Sequence, residues 1–334
     1  MEQDSRPEPD SRPLGWEQLI QDAEAGMTTD CHAVPVWRIP GFYDDREGHW
    51  AAKLLMEADA QAAYATALAY RLTGERRYAT KAAELLDGWA SVNRAFAEND
   101  GPLVSAYLGT GLLRAALLLK PFDGWTAARR AAWARWLTDV CLPAWDGIPG
   151  RNNWWNWSLL AQLTAYAYLE DMDAFRSEVE QLKAFLDASL DEEGFLPEET
   201  VRGANGMWYH YFALAPSAAA AGLIRDVTGE DLYRWQSPRG RSLKRALDRL
   251  FHYVDGRADE WPFAPEQNVP APAPDTWPAE LYEAMAGIYA DADYERFAAP
   301  HRPVVGHRNP ASGYYLSYAW VYPTLLKHIR FPTI

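Results

Sequence analysis

The sequence predicts an all-α protein: helix hairpins arranged as an incomplete α/α toroid behind a long N-terminal lid loop. Three observations predict it. Apolar residues recur at helical spacing through nearly every segment after residue 50, and strand-like alternation is almost absent. Helix pairs linked by short turns recur roughly five times. A weak internal echo supports the repeat: Thr73-Gly74-Glu75 followed by Tyr78 resembles Thr228-Gly229-Glu230 followed by Tyr233, each expected to join a helix to its successor.

Residues 1–13 are polar and Pro-rich and read as a disordered tail, ahead of one domain over 14–334. A short helix is expected over 15–26. Residues 27–50 read as irregular and carry Trp37, Arg38, Tyr43, Arg46, His49 and Trp50. A loop of that length suits a lid over a charged sugar, or else a structural wrap that packs its aromatics on the core. Tyr64, Leu68 and Leu72 then follow i, i+4, i+8 spacing, with Gly74 where a helix end favours glycine. Tyr78, Ala82, Leu85 and Trp89 give the next stripe. Further helices are predicted at 103–119, at 126–144 with Thr126 as cap, and at 156–170, 172–190, 207–227, 240–254 and 279–290. A last one is expected near 319–329. The Pro-rich stretch 257–278 suits a loop beside a groove at one end of the toroid.

Among 334 residues, 16 Trp and 18 Tyr are a surplus. Some must fill the core; others suit sugar binding, because a flat ring stacks on the apolar face of a pyranose. The net charge of −14 argues against nucleic acid. It also opposes a polyanionic ligand unless basic residues gather in one groove, and Arg38, Arg46, Lys53, Arg114, Arg151 and Arg202 are predicted to do so. Cys31 and Cys141 form neither a metal-ligand spacing nor a disulfide framework, so two free thiols and one bridge both stay open. No metal and no cofactor are expected. No apolar run reaches the roughly 18 residues of a membrane span, and no hydrophobic signal region precedes residue 14. The expected location is the cytoplasm, or outside it if a leader has been removed. A monomer is expected.

The chemistry concentrates between Phe195 and Pro216, where Glu198, Glu199, Arg202, Tyr209 and His210 are set among Gly203 and Gly206. A guanidinium beside a phenol favours phenolate, so Arg202 is expected to lower the pKa of Tyr209 from about 10. The plainer reading is a helix start with a surface Arg and core aromatics.

Four stretches, taken together and in order, add weight to the first reading: Cys31-His-Ala-Val-Pro with the following loop and Tyr43; Arg151-Asn-Asn-Trp-Trp-Asn-Trp157; Gly194-Phe-Leu-Pro-Glu-Glu with Arg202 and Tyr209-His210; and Trp277 with Glu280 and Tyr282. This ordered set resembles the alginate-lyase family of polyuronate lyases over roughly 27–290. The resemblance implies an incomplete α/α toroid and cleavage of an acidic polysaccharide by β-elimination. It also implies roles: Asn153 and Arg202 neutralising the substrate carboxylate, Tyr209 as catalytic Tyr, Arg114 as a cleft-lining cation and Tyr43 as the lid Tyr. The chain departs from the family pattern at Trp154, where a His would follow the Asn pair. His210, His32 and His49 are candidates for that missing role.

The chemistry demands such groups independently of the family. Elimination removes a proton from C5, beside a carboxylate whose charge must first be neutralised by amide and guanidinium donors. A base then takes the proton and an acid protonates the departing O4. In mannuronate and glucuronate H5 and O4 lie on one face, so one Tyr can do both; in guluronate they lie on opposite faces. A chain with Tyr209 but without the usual His therefore fits same-face elimination, with Arg38, His49, Trp154, Tyr43 and Arg114 contacting substrate. Two other readings stay open. A toroidal glycoside hydrolase would use two of Asp100, Glu198 and Glu199. A non-catalytic polysaccharide-binding protein would carry Trp154 as the mark of a dead site.

Overall fold

The structure, a computed structural model, describes residues 12–327 and 329. The chain opens with α1 (Trp16–Gly26), passes through the short strand β1 (Val36–Arg38), and enters α2 (Arg46–Thr73). Asp45 caps α2 by accepting the Gly48 N–H at 2.9 Å, so this helix starts inside the stretch expected to be irregular. It ends at Gly74, whose φ of 74° is the left-handed conformation a glycine adopts without strain. Next come α3 (Arg76–Val92), β2 (Ala95–Ala97) and α4 (Gly101–Leu119). The two strands pair in parallel, Trp37 opposite Phe96, a contact too short to read as strand pattern in the sequence.

Beyond α4, α5 (Ala127–Trp136) continues through a widened π turn over Leu137–Cys141 into α6 (Leu142–Asp146), and Thr126 accepts the Arg129 N–H as its cap. There follow α7 (Asn153–Leu169), α8 (Met172–Ser189), the single turn α9 (Pro197–Thr200), α10 (Gly206–Thr228), α11 (Leu243–Val254), α12 (Trp277–Tyr289), α13 (Ala292–Ala298) and α14 (Pro323–Leu326).

α2, α4, α7 and α10 pack each against the next, while α3, α8 and α11 lie against α2, α7 and α10. This is the incomplete helical toroid expected. The inner helices are apolar on nearly every side because neighbours enclose them. α4 is long and apolar enough to cross a membrane by length and composition, which the reading of apolar runs missed; 83% of that stretch is buried within the protein.

The open side of the ring is bridged by residues 302–322, which carry little regular structure. Asn309 Nδ2 and Ser312 Oγ donate to Glu57 on α2 at 3.0 and 2.8 Å. The His307 N–H donates to Glu280 on α12 at 3.2 Å, and Arg302 pairs with Glu283 on the same helix. Asp22 on α1 accepts from Tyr315 and Tyr322 at 2.8 Å each and from Arg308 at 3.0 Å. The helix expected near 319–329 shrinks to α14, because Tyr322 sits at φ 57°, outside helical geometry; residue 328 lies outside the described residues.

The echoed turns match in part. The hydroxyls of Thr73 and Thr228 each accept the N–H two residues on, at 3.1 and 3.2 Å, and Gly229 repeats the left-handed φ at 79°. After Gly229, however, no helix follows at once. Tyr233 instead turns back on α10 and donates to the Ala218 carbonyl at 2.7 Å. Both cysteines are free thiols, Cys31 exposed and Cys141 buried. Burial pushes the Cys31 thiol up to about 11.

Asp22→Ala removes a buried carboxylate and strands the donors of Arg308, Tyr315 and Tyr322. Breaking such a cluster destabilises by about 3–5 kcal/mol. Urea unfolding should show that loss, with the midpoint lowered; an unchanged midpoint would mean the bridge is not fastened there.

Candidate active site

The lid is held by a chain of buried acceptors. Asp59 on α2 accepts the His32 N–H at 2.8 Å and the Trp89 indole N–H at 2.7 Å, and it meets His32 Nδ1 at 2.7 Å. Asp100, ahead of α4, accepts the Phe42 N–H at 2.9 Å and lies 3.2 Å from His49 Nδ1. That same nitrogen lies 3.0 Å from the Pro40 carbonyl. Trp37 is buried and donates to the Ala52 carbonyl at 3.1 Å. The first half of this loop is a packed wrap, as one of the two sequence readings had it, and its tip carries Tyr43, 74% exposed.

From that tip the Tyr43 hydroxyl meets the Tyr209 hydroxyl at 2.6 Å. Tyr209 stands in the first turns of α10 and is half-buried. The Arg202 guanidinium lies 4.2 Å from the centre of its ring. The path from Arg202 into α10 depends on Gly206, where a Cβ would come 2.8 Å from the Thr200 carbonyl oxygen. On the other side Gly194, at φ 95°, passes 2.8 Å from the Arg245 carbonyl oxygen measured from the same imagined Cβ. Glycine is required at both places.

The expected lowering of the Tyr209 pKa is not what the resting arrangement gives. Burial of the phenol, then its bond to Tyr43, outweigh the Arg202 charge and push it up to about 12. The Tyr43 hydroxyl moves the other way, lowered first by its bond to Tyr209 and then helped by Arg202. Two phenols sharing one short bond titrate as a pair.

Asn153 is the first residue of α7 and only 2% exposed. Its N–H donates to Glu199 Oε1 at 2.6 Å and its Nδ2 to Oε2 at 2.8 Å, while its Oδ1 has no partner. Trp154 is half-buried at the same helix start, its N–H capped by Asn152 at 3.1 Å. Trp157 is core; Trp155 stacks on Phe185 at 5.0 Å. Asn156 is buried and donates to Ser217 on α10 at 3.0 Å, a helix-to-helix tie with no exposed surface for sugar.

His210 is a correction. It points away from Tyr209, as residues about 100° apart on a helix do. It is fully buried and accepts the Leu196 N–H at 3.3 Å. Burial lowers its pKa to about 4, so it stays neutral and structural. His32 and His49 are spent on anchoring the lid.

The basic residues gather only in part. Arg202 sits at the phenols and Arg46 lies 5.2 Å over the Phe42 ring. Lys53 is 3% exposed, paired with Glu57 at 3.0 Å and set over Tyr107 at 5.3 Å. Arg38 is exposed on β1, 3.7 Å from Glu98. Arg151 turns outward over Trp155, and Arg114 sits deeper along α4 against the Tyr64 hydroxyl. Missing from the sequence reading was the use of Asp100, Glu57 and Glu199 as acceptors for backbone and side-chain donors; each contact joins residues far apart in the chain. Among the described residues no group of three or more His, Cys, Asp or Glu is arranged to hold a metal.

A helical toroid that brings a lid phenol, an inner-helix phenol and a guanidinium together defines the class. The alginate lyase family model matches residues 17–261, and the chain belongs to that family. An alginate lyase of Cobetia marina is 30% identical over 124 residues, which are 36% of this chain and 31% of that protein. The match thus spans about a third of such relatives' length. Alginate lyase A1-III from Sphingomonas species A1 superposes with a TM-score of 0.72 at 19% identity, over 91% of this chain and 88% of that one. A form of alginate lyase A1-III complexed with tetrasaccharide gives 0.73 at 18% identity, over 97% and 96%. These likenesses show the fold.

Replacing Tyr43 by Phe removes the bond that raises the Tyr209 pKa and leaves Arg202 in place. Carbon NMR of tyrosine labelled at Cζ should then show Tyr209 titrating about one unit or more below its value in the unaltered protein. An unmoved or higher value would mean that Tyr43 does not control it.

Proposed function

We propose that this protein is a polysaccharide lyase that cleaves an acidic uronate polymer of mannuronate or glucuronate type by β-elimination, with Tyr209 as both base and acid. The observation that carries this is the phenol of Tyr209 beneath the Arg202 guanidinium, bonded to an exposed lid Tyr43, with its neighbour His210 turned into the core. Arg202 and the Asn153 amide neutralise the substrate carboxylate, which makes the C5 proton removable. Tyr209 takes that proton and returns it to O4 on the same face. Trp154, Tyr43, Arg38, Arg114 and His49 are the candidate substrate contacts. The first two fit that role best, since Trp154 opens α7 beside Asn153 and Tyr43 reaches Tyr209.

The resting pKa sets a condition. A phenol raised to about 12 stays almost wholly protonated near neutral pH, so the base has to be released before it can act. Substrate entering between the phenols breaks the Tyr43 bond and removes the larger of the two polar causes of that rise, while Arg202 still favours phenolate. The lid bond is thus a resting lock on the base. A hydrolase reading has no open carboxylate pair to use: Asp100 is bound to the lid, and Glu199, 1% exposed, is bound to Asn153.

Tyr209→Phe should lower kcat by about a thousandfold with the fold intact, followed by ultraviolet absorbance of the C4=C5 double bond. Full activity in this variant would remove Tyr209 from the chemistry. Product without the new absorbance would replace the lyase by a hydrolase.

A further inference from the structure

Glu199 is more deeply buried than any group expected to touch substrate, yet both its oxygens are committed to Asn153. One takes the backbone N–H at 2.6 Å and the other takes Nδ2 at 2.8 Å. A backbone N–H can only donate. A side-chain amide can present either its NH2 or its oxygen, and the partner decides which. Both residues are 2% exposed or less, and these donors and acceptors are matched to each other inside the protein. An ionised carboxylate offers acceptors alone, so it fixes the Asn153 amide with Nδ2 toward Glu199. One Nδ2 proton is used there, and the second has no acceptor among the described residues.

We infer that Glu199 is a positioning residue which, by accepting two Asn153 N–H bonds as a carboxylate, holds the Asn153 amide so that its second Nδ2 proton is the donor offered to the substrate carboxylate, and ties that orientation to its own ionised state. The inference rests on the lyase reading above. Glu199 itself touches no substrate; it acts through Asn153. When it is protonated, its O–H faces Nδ2, donor against donor. The amide then turns over, placing Oδ1 toward Glu199 and NH2 where the unpartnered Oδ1 now sits. The proton comes from solvent and no other bond changes.

The surroundings place this change within reach of ordinary pH. Burial raises the Glu199 carboxyl to about 6, against the opposing pull of the two Asn153 donors. The charged groups acting on it are Arg202, which favours the carboxylate, and Glu198, which disfavours it. From α7 it meets the neutral Asn153. From α10 the nearby His210 is neutral as well, its pKa lowered to about 4 by burial. The loop over 261–268 contributes the uncharged Trp261, Gln267 and Asn268 around Gly203, Asn205 and Met207. The sign follows from the raised value: the carboxylate, and with it the held amide, is present above about 6 and lost as pH falls through it.

The test compares the full chain with Glu199→Gln, using polymannuronate and glucuronan, with kcat and KM followed from acid to alkaline pH. Gln still accepts the Asn153 N–H through its own oxygen, so the helix start and the melting temperature should hold. Its NH2, however, forces the amide over. The expected result is a kcat lower by tenfold or more, a KM changed less than twofold, and loss of the acid limb that the unaltered enzyme shows near 6. A variant with unaltered kcat and the same acid limb would overturn the inference, because a merely structural cap would shift melting and leave that limb in place. If Glu199→Gln does not fold, or the unaltered protein cleaves no uronate polymer, a second readout still decides. The Asn153 side-chain NH2 resonances of the unaltered protein, assigned by their loss in Asn153→Asp, should shift with a midpoint near 6. Resonances that stay fixed between about pH 5 and about pH 7 would overturn the inference. Inactivity of the unaltered protein toward every uronate polymer, with those resonances shifting as expected, would refute the lyase reading alone.

Discussion

The hydrogen bond of 2.6 Å between Tyr43 and Tyr209 is where the lid and the inner helices meet, and the lid anchors and the α9–α10 path serve to bring those two hydroxyls together. On one side, Asp59 and Asp100 hold a segment that has almost no secondary structure of its own. On the other, Gly206 lets the chain pass under Thr200 so that Arg202 folds back over the first turns of α10. Burial alone would leave the Tyr209 phenol a poor base. Its neighbours differ in sign: Tyr43 holds the proton on, and Arg202 pulls it off. A ligand that parts the phenols while leaving the guanidinium in place changes that balance in the direction elimination needs.

The same economy of charge bears on how a chain of net −14 could face the polyanion proposed as its substrate. Several cations expected in one groove are already neutralised or turned aside: Lys53 by Glu57, Arg38 beside Glu98, Arg151 over an outer Trp. Arg202 remains at the reacting phenols. On the lyase reading proposed above, local donors and not a broad positive field would have to recognise the uronate. That makes the orientation of a buried amide such as Asn153 matter more than it would in a strongly basic cleft.

Much of the fold was legible in the sequence because helices announce themselves locally. The stripe through Tyr64, Leu68 and Leu72 ended where Gly74 adopts its left-handed turn, and Thr126 capped the helix it preceded. What stayed hidden was non-local. Residues 302–322 have no periodicity, and their hold on Asp22, Glu57, Glu280 and Glu283 joins the two ends of the chain. At the site, residue types and order pointed to Arg202 and Tyr209, which the fold does bring together. The facing of His210 could not be read, since adjacent positions on a helix diverge and only packing tells which one looks inward. Nor could the sign of the Tyr209 shift, which depends on how burial and Tyr43 weigh against a cation. Nor could the pairing of Glu199 with Asn153, which joins residues 46 positions apart through the packing of α7 and α9 against α10.

In the proposed reaction one phenol makes both proton transfers, from C5 and to O4, on a single face of the sugar. Measuring kcat/KM on polymannuronate against polyguluronate tests that most directly. Polymannuronate, with H5 and O4 on the same side, should be preferred by about a hundredfold or more. Comparable cleavage of polyguluronate would mean that a second group works from the opposite face, and the single-phenol account would fail.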